Sequence, residues 1–552
     1  MEFTTCTNTF EGLAGQSFAA FINTLLVAQC ALSSREKYPS NYAPHLKNGE
    51  EFDFIVVGAG SAGSILANRL SENPKWRVLL IEAGDYPSVD TEIPWFNQNL
   101  KLSKEDWNYT FEPLNSAFLG LKDKRCICPR GKTLGGSSSI NAMLYIRGNR
   151  KDFDSWTIEG WDYDSVLPYF KKFEDLRGNE DERMGKGGEL KITKAINENN
   201  PRDILLEAYK ELGFGEYSEE SPRGYLDAYT NIYEGTRWSA AKAFVQPMKD
   251  RKNAHLVVNA QVSRVLLTKL RATGVEMRMN GKLLTVKATK EVILSAGSIN
   301  SPQILMNSGI GPKEHLKELG IRTVKNLRVG ENLQDHVLFF GLMLKLGSNA
   351  IPNANVMDDW YEYSMRKTGS LSRTSLPNFV LFLDPNNASS IYPTLQLYYV
   401  PFPKNDPNFG LRGARKVYNL PSEPFKRHEE TNKNSNIIYL MPSLSYPKSV
   451  GKILLRSKDP FDAPRILSNY FTDEGGKDLQ VMLDGVRFFQ KVVKTKAFAA
   501  HEAEMVHLDL ENCRSFVPDS DQYWKCAFQN IANTVFHLVG TCKMGPKTIP
   551  PL

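Results

Sequence analysis

The hydrophobic positions near the start of the chain form short unbroken runs. Apolar runs at residues 54–57 and 77–81 predict two buried strands, and residues 64–70, between them, have the pattern of a helix. A similar run predicts another strand at residues 291–296. Strands that alternate with a helix in this way favour an α/β fold.

A different pattern begins near residue 337. Up to about residue 470, apolar and polar positions alternate between long polar loops, which predicts strands at residues 395–400, 437–441 and 452–455. Residues 476–503 then have a helical period, and the apolar face of this predicted packing helix consists of Leu479, Met482, Leu483, Val486, Phe489 and Val493. Within the helix-bearing segment 151–176, we expect Trp156, Trp161 and Phe170 to be packed.

A glycine pattern follows the first predicted strand directly. Gly58, Gly60 and Gly63 satisfy G-x-G-x-x-G where a strand gives way to a helix, and Glu82 ends the second strand, 24 residues after Gly58. The first glycine permits a tight turn, the second lets a pyrophosphate approach the backbone, and the third lets helix and strand pack closely. A carboxylate at the end of the second strand accepts hydrogen bonds from a ribose diol and disfavours the 2′-phosphate of NADP. We therefore predict a site for FAD or NAD, with the residues Gly58, Gly60, Ser61, Ala62, Gly63, Glu82 and Ala83.

Composition limits the classes of protein that remain. A chain of 552 residues exceeds what one hydrophobic core usually organises, so we expect two joined domains. The net charge of +6 is small for this length, and without a basic run interleaved with aromatic residues it does not support nucleic-acid binding. Cys126 and Cys128 have no second Cys or His pair at zinc-finger spacing, so we predict no metal site.

A second glycine-rich stretch lies at residues 130–148. Gly135 and Gly136 precede three serines, so backbone N–H groups and hydroxyls are exposed with little obstruction by side chains. Such a loop suits the close approach of a polar, anionic or flat ligand, although the same residues can also form a simple turn.

The stretch at 130–148 is similar to the first signature of the glucose–methanol–choline (GMC) oxidoreductases, and residues 297–311 resemble the second. Residues 329–336 and 537–545 resemble two further motifs, and all four occur in the family's order after the glycine fingerprint. The family uses FAD to oxidise alcohols. The resemblance is strongest to its insect branch, which includes glucose dehydrogenases and ecdysone oxidases, because Lys-Asp-Lys-Arg precedes the first signature and Tyr-Ile-Arg-Gly-Asn-Arg ends it.

The resemblance implies an FAD-binding, Rossmann-like domain and a second, substrate-binding domain built on an antiparallel sheet. Residues 1–50 are expected to form a leader or signal segment and a linker. The FAD-binding domain is expected over 51–336, with insertions that belong to the substrate domain, and again from about 505 to 552. The segment 337–504 is expected to be mainly substrate domain, and its long loops to carry the substrate specificity.

The resemblance also selects FAD over NAD and adds residues to its site. Carried over by motif, these are Gly135, Gly136, Ser137, Asn141, Ala142 and Met143, together with Val262, whose backbone is expected to meet the adenine. Ile140 occupies the position at which some relatives carry a histidine bonded to the flavin. Because its side chain has no nucleophile, we expect the FAD to be non-covalent.

Alcohol oxidation by a flavin needs a base that removes the hydroxyl proton while a hydride leaves the carbon. His537 stands in the family's catalytic motif, and we predict that it is this base. His336 is the other histidine at a family position, and we interpret it as structural. The expected partners are a small-molecule alcohol, a sugar or an ecdysteroid, and an electron acceptor that is either O₂ or a quinone.

Family members continue for several dozen residues beyond the motif at 537–545, and that tail supplies a second catalytic His or Asn. The present sequence ends at Leu552. Two hypotheses therefore stay open: an active FAD-dependent alcohol dehydrogenase or oxidase, and a truncated, catalytically impaired relative that is not an enzyme.

The sequence also bears on cellular location. Residues 18–32 resemble the apolar part of a secretory signal but follow acidic rather than basic residues, so a cleavable signal and a leader helix are both open, as are export and a soluble intracellular location. The segment is too short for a stable membrane span. Sequons at Asn108 and Asn387 permit secretion, and Cys513 and Cys526 either close a small disulfide loop in an exported protein or remain isolated thiols.

Overall fold

A computed structural model describes residues 35–178, 181–194, 200–347, 350–351, 356–387, 390, 392–405 and 410–545. The predicted leader at 18–32 lies outside these ranges. None of the helices in the described part is both long and apolar enough to cross a membrane.

The first large sheet has six strands. Four of them are parallel and adjacent in the order Ala254–Val257, Val78–Ile81, Glu50–Val57 and Lys282–Leu294. The apolar runs at residues 54–57 and 78–81 are buried, whereas the run at 292–294 is half-buried. Two antiparallel strands, Arg271–Met279 and Ala260–Thr268, extend the sheet on one side.

The carboxyl ends of the parallel strands are in register. Ile81 pairs with Val57 on one side and with Val257 on the other, and Val57 also pairs with Leu294. The residues that follow these strands therefore meet at one edge of the sheet, where ligands bind in open α/β sheets. The helix Ser61–Ser71 begins at this edge.

The second large sheet has eight strands and is antiparallel throughout. Its central strand, Asn436–Leu444, is buried at all nine positions. The other strands are Glu504–Val506, Leu342–Leu346, Leu395–Phe402, Phe379–Leu383, Gly224–Asp227, Val337–Phe339 and Ala532–Thr534. The helix Lys477–Val493 packs against the central strand.

Smaller elements complete the described part. A four-stranded sheet contains Leu144–Tyr145, Tyr229–Thr230, Leu190–Lys194 and Glu174–Arg177, and a three-stranded one contains Glu331–Leu333, Gly451–Leu454 and Arg465–Leu467. Further two-stranded pairs are Tyr109–Thr110 with Ile127–Cys128, Ile232–Tyr233 with Thr236–Arg237, and Ile310–Gly311 with Lys325–Asn326. The remaining α-helices are Val89–Glu92, Arg150–Asp154, Tyr163–Phe173, Asn200–Glu211, Gly297–Asn307, Lys313–Glu318, Val356–Arg366, Gly410–Val417, Lys426–Asn434, Lys496–Ala499 and Asp521–Ile531.

Most elements predicted from the hydrophobic pattern are confirmed. The predicted helix at 476–503 is two helices, Lys477–Val493 and Lys496–Ala499, and Met482, Leu483, Val486 and Phe489 of its apolar face are buried. The prediction that Trp156 and Trp161 are packed is wrong, since each is 44% exposed. They lie in the loop after Arg150–Asp154, where their rings contact each other, with centroids 6.1 Å apart.

Both large sheets draw strands from the predicted FAD-binding segments. The strand Gly224–Asp227, within 51–336, joins the antiparallel sheet beside Phe379–Leu383, and Ala532–Thr534, from the C-terminal segment, pairs with Val337–Phe339. The exact domain boundaries remain predictions.

The pairing of Cys513 with Cys526 is confirmed as a disulfide, which joins the helix Asp521–Ile531 to the turn before it. Among the described residues Cys126 and Cys128 are buried thiols, and Cys542 is an exposed one. The sequon residues Asn108 and Asn387 are both exposed.

Candidate functional site

A cavity of about 460 Å³ opens at the carboxyl ends of the parallel strands. The predicted cofactor residues that line it are Gly58, Gly60, Ser61, Ala62, Glu82, Ala83, Gly136, Ser137 and Val262. Ser61 and Ala62 are the first residues of a helix whose cap, Gly60, has no side chain to occupy the helix N-terminus. The backbone N–H groups of such a terminus suit phosphate oxygens.

The glycines of the fingerprint have different surroundings. A Cβ atom on Gly63 would lie 1.9 Å from the carbonyl oxygen of Gly58, so this residue must be glycine for helix and strand to pack. At Gly60 the nearest atom to an added Cβ, apart from chain neighbours, is the Cα of Gly136 at 4.0 Å. The space beside Gly60 is therefore open to a ligand, and the arrangement fits a pyrophosphate.

Glu82 is buried at the end of its strand. Its carboxylate accepts hydrogen bonds from the backbone N–H groups of Ala59, at 2.9 Å, and Gly84, at 2.8 Å. Burial raises the pKa of Glu82 to about 7, and these hydrogen bonds together with the charge of Lys132 offset part of that rise. The carboxylate still borders the cavity, where it can accept a hydrogen bond from a ribose hydroxyl.

The loop after residue 130 lies directly against the fingerprint. The N–H of Gly135 donates to the carbonyl of Ala59 at 2.7 Å, and Gly135 has a φ of 86°, in the left-handed region. A Cβ on Gly136 would lie 2.7 Å from the Cα of Gly60. Gly63 and Gly135 thus shape the walls of the site without lining its cavities, whereas the other predicted cofactor residues line them.

The buried guanidinium of Arg237 holds the end of this loop. It donates to the carbonyl of Ser138 at 3.1 Å, to that of Asn141 at 2.8 Å, and to the side-chain oxygen of Asn141 at 2.8 Å. A further hydrogen bond, to the carbonyl of Thr91, fixes the guanidinium itself. Arg237 was not a predicted site residue, because its role depends on contacts far along the chain.

A second cavity of about 490 Å³ adjoins the first, and Arg130 and Ser137 line both. Besides Ser137, four predicted site residues line the second cavity: Asn141, Ala142, Met143 and His537. Its lining also includes Gln98, Lys101 and Arg130, which were not predicted, and His336, which was predicted to be structural. Ile140 is buried and also borders this cavity, to which it contributes only hydrocarbon. Two joined cavities suit an elongated cofactor with a substrate at one end.

His537 and His336 face each other across 201 positions of the chain. Their Nδ1 atoms are 3.0 Å apart and their rings lie nearly perpendicular, at 78°. His336, which was interpreted as structural, therefore also contacts the predicted base and borders its cavity. The sequence feature that could have predicted this contact is the position of His336 beside Asp335 in the motif at 329–336.

Asp335 anchors the main chain of His537. Its carboxylate accepts the N–H of His537 at 2.9 Å, the hydroxyl of Thr534 at 2.5 Å and the hydroxyl of Tyr470. Burial raises the pKa of Asp335 to about 6, although these hydrogen bonds and Arg130 favour the carboxylate.

The surroundings of both imidazoles favour the neutral form. The ring of His537 is open to the cavity but surrounded by protein, and this desolvation, followed by the proximity of His336 and Arg130, lowers its pKa to about 3. Burial also lowers the pKa of His336. A neutral imidazole can accept a proton, as a general base must.

Comparison with known proteins finds relatives that match almost the whole chain. Two models of the GMC oxidoreductase family match the chain, one at residues 52–338 and one at residues 447–550. The glucose dehydrogenase [FAD, quinone] of Drosophila pseudoobscura pseudoobscura is 36% identical over 99% of this chain and 86% of its own length. The ecdysone oxidase of Bombyx mori is 31% identical over 97% of this chain and 80% of its own. A crystal structure of formate oxidase is similar in fold, with a TM-score of 0.75 at 26% identity over 90% of this chain and 89% of that one.

Proposed function

The chain belongs to the GMC oxidoreductase family and is an FAD-dependent oxidoreductase that acts on alcohols, and on this premise we propose that His537 is the base of the reaction. The observation that carries the proposal is the position of the His537 imidazole, which lines the second cavity, contacts His336 through Nδ1 and is held through its main chain by Asp335. The substrate we propose is a sugar or an ecdysteroid, in line with the names of the two insect relatives.

When bound, FAD supplies the acceptor for the hydride that leaves the alcohol carbon. Gly60, Glu82 and the start of the helix Ser61–Ser71 would hold its ribose and pyrophosphate, and Asn141, Ala142 and Met143 would border its flavin end. Because Ile140 has no nucleophile, we propose that the FAD is bound without a covalent link. Acid precipitation of the loaded protein tests this, since the yellow colour should then remain in the supernatant.

The hydrogen bond between the histidines favours one tautomer of His537. Between two Nδ1 atoms, one nitrogen donates and the other accepts. The backbone of Ser445 also acts on the His336 ring and offsets part of the lowering of its pKa, as an acceptor near the other ring nitrogen does. If His336 donates to Ser445, its Nδ1 is left to accept from His537, and the lone pair of His537 is then on Nε2.

The proton of the alcohol would move to that lone pair. His537 Nε2 accepts the hydroxyl proton as the carbon loses its hydride, and the hydrogen bond to His336 keeps the ring oriented for this transfer. Asp335 keeps the ring in place through the main chain of His537. General-base catalysis of this kind contributes roughly 10²–10⁴-fold to a rate.

A substrate panel tests the proposal. FAD-loaded protein should oxidise one or more members of a set of sugars and ecdysteroids, with O₂ or a quinone as the acceptor. Measuring oxygen uptake in parallel with quinone reduction would separate oxidase from dehydrogenase. Turnover by His537→Ala at the wild-type rate would contradict the role of His537.

A further inference from the structure

One lysine on the wall of the second cavity has no role in the mechanism above. Lys101 follows the short helix Pro94–Gln98, and its Nζ donates to Oε1 of Gln98 at 2.7 Å. The same Nζ lies 4.3 Å from the centroid of the Phe536 ring and 5.7 Å from that of Tyr418. Lys101 thus reaches the cavity beside the residue that precedes His537.

The charge of Lys101 has no close counter-ion. Within the described ranges, no carboxylate lies within 4.0 Å of its Nζ, and Gln98 is the hydrogen-bond acceptor that it has. The carboxylate of Asp106 acts on the Lys101 amine from a greater distance. Its oxygens accept the backbone N–H groups of Leu102, Asn108 and Arg130. Burial lowers the pKa of Lys101 to about 7, and Asp106 offsets this only partly.

The other charged groups on the cavity wall are engaged with protein atoms. Arg147 is paired with the buried carboxylate of Glu174. Asp152 accepts the hydroxyls of Tyr392 and Tyr446. Arg130 donates to the carbonyl of Phe536 at 2.9 Å. The wall therefore contains three cationic residues and a single carboxylate, and the ammonium of Lys101 uses one of its three N–H donors, toward Gln98.

We propose that Lys101, together with Gln98, forms a subsite for an anionic substituent of the substrate, so that the preferred alcohol carries a carboxylate or a similar oxyanion away from the reacting hydroxyl. The proposal rests on the proposed function and narrows it to acidic derivatives of a sugar or an ecdysteroid. With its pKa lowered to about 7, the half-buried amine is readily deprotonated, and an anion is favoured over a neutral carbonyl because it compensates the charge of the ammonium form. An oxyanion would also form charge-assisted hydrogen bonds with Nζ, which are stronger than neutral ones.

Binding to the oxidised holoenzyme tests the subsite without turnover. Benzoate and benzamide have similar shapes and differ in charge, and each can be titrated against the FAD-loaded protein while the flavin absorption spectrum is recorded. Cyclohexanecarboxylate and cyclohexanecarboxamide form a second pair of this kind, and neither has a hydroxyl to oxidise. We expect the acid to bind at least about tenfold more tightly than its neutral counterpart in either pair, as a charge-assisted hydrogen bond allows.

Three variants separate the subsite from general effects. Lys101→Met should lose the preference for the acid, and Lys101→Arg should retain it. Lys367→Met is the matched control, because Lys367 also lies over an aromatic ring, 4.7 Å from the centroid of Tyr363, yet does not line either cavity; its preference for the acid should equal that of the wild type.

The subsite at Lys101 can be tested independently of the proposal that His537 is the base. In His537→Ala the preference for the acid should persist although oxidation is lost, so failure of one proposal does not imply failure of the other. Equal affinity for acid and neutral probes in the wild type, no detectable binding of either acid, or an unchanged preference in Lys101→Met would overturn the assignment.

Discussion

The Nδ1 atom of His336 lies 3.0 Å from the Nδ1 atom of His537, although the two residues are 201 positions apart in the chain. A hydrogen bond of this geometry forces the two rings into complementary tautomers. The nitrogen of His537 that remains unprotonated then depends on the partners of His336. The pair links the motif at residues 329–336 to the motif at 537–545, and its consequences can be measured.

Replacing His336 tests whether it sets the tautomer of His537. In His336→Ala, the Nδ1 atom of His537 loses its hydrogen-bond partner. His537 also loses a neighbouring imidazole that lowers its pKa. We expect flavin reduction by an alcohol to slow by about 10–100-fold, as loss of a partner that orients a catalytic group does, and the low-pH limb of the pH–rate profile to move to higher pH. Stopped-flow measurements from pH 3 to 8, a range that includes the low-pH limb expected near the pKa of about 3 in the wild type, check both effects. His45→Ala, at an exposed histidine, is the control; an unchanged profile in His336→Ala would mean that His336 only fills space.

Gly60 and Gly63 should respond differently to the same substitution. Gly63→Ala would force a Cβ to within 1.9 Å of the Gly58 carbonyl, so we expect little folded protein. Gly60→Ala has room in the protein itself and a φ of −73°, which alanine adopts readily. It should fold with normal circular dichroism but bind FAD at least about tenfold more weakly, because the methyl group occupies the space open to the pyrophosphate. Normal FAD affinity in Gly60→Ala would place the pyrophosphate elsewhere.

FAD binding should depend on pH through Glu82. Without ligand the pKa of Glu82 is raised to about 7, and the ribose hydroxyls bind its ionised form. Below pH 7 the carboxyl must lose a proton on binding, so the dissociation constant should rise by up to about tenfold per pH unit. Fluorescence titration of the FAD-free protein measures this. Glu82→Gln should bind weakly at every pH and lack this dependence.

The raised pKa of Glu82 also affects the stability of the FAD-free protein. Because the folded carboxyl of Glu82 holds its proton more tightly than the unfolded one, its contribution to stability is complete below the ordinary pKa of 4.5 and is lost as the pH rises through about 7. The difference in unfolding free energy between wild type and Glu82→Gln should therefore vary across this interval. Urea unfolding at pH 4.5 and pH 8 measures it, and a constant difference would contradict the assigned shift.

The disulfide between Cys513 and Cys526 should contribute to stability and not to chemistry. It closes a loop with a sequence separation of 13 residues. Its loss in Cys526→Ser should lower the free energy of unfolding by about 2–4 kcal/mol and lower the melting temperature. The rate of flavin reduction should not change, because neither cysteine lines the cavities. Equal melting temperatures of the variant and the wild type would show that the bond is dispensable.

Local sequence patterns predicted the part of the site that is local in sequence. The fingerprint glycines and Glu82 lie on one strand–helix–strand unit, so their spacing alone places them around one cavity. The functions of Arg237 and Lys101 depend instead on tertiary contacts, since Arg237 reaches a loop about a hundred positions away. Lys101 lies in a segment without periodicity, and the ring beneath it, Phe536, is near the other end of the chain.

Resemblance to the family identified His537 but not its surroundings. The motif marks the residue, whereas the lowered pKa of its ring follows from desolvation by the surrounding protein and from a partner in another motif. Trp156 and Trp161 illustrate the opposite failure, because two large apolar side chains in a helix-bearing segment were expected to be packed and lie at the surface instead.

The most direct test of the account is the absorption spectrum of the FAD-loaded protein during anaerobic mixing with an oxidisable alcohol. We predict that the wild type binds FAD, that the yellow band bleaches on mixing, and that His537→Ala carries the same amount of FAD but bleaches roughly 10²–10⁴-fold more slowly. Bleaching at equal rates in the two proteins would contradict the role of His537. A wild-type protein that cannot be loaded with FAD, or that does not bleach with any alcohol, would contradict the catalytic site itself.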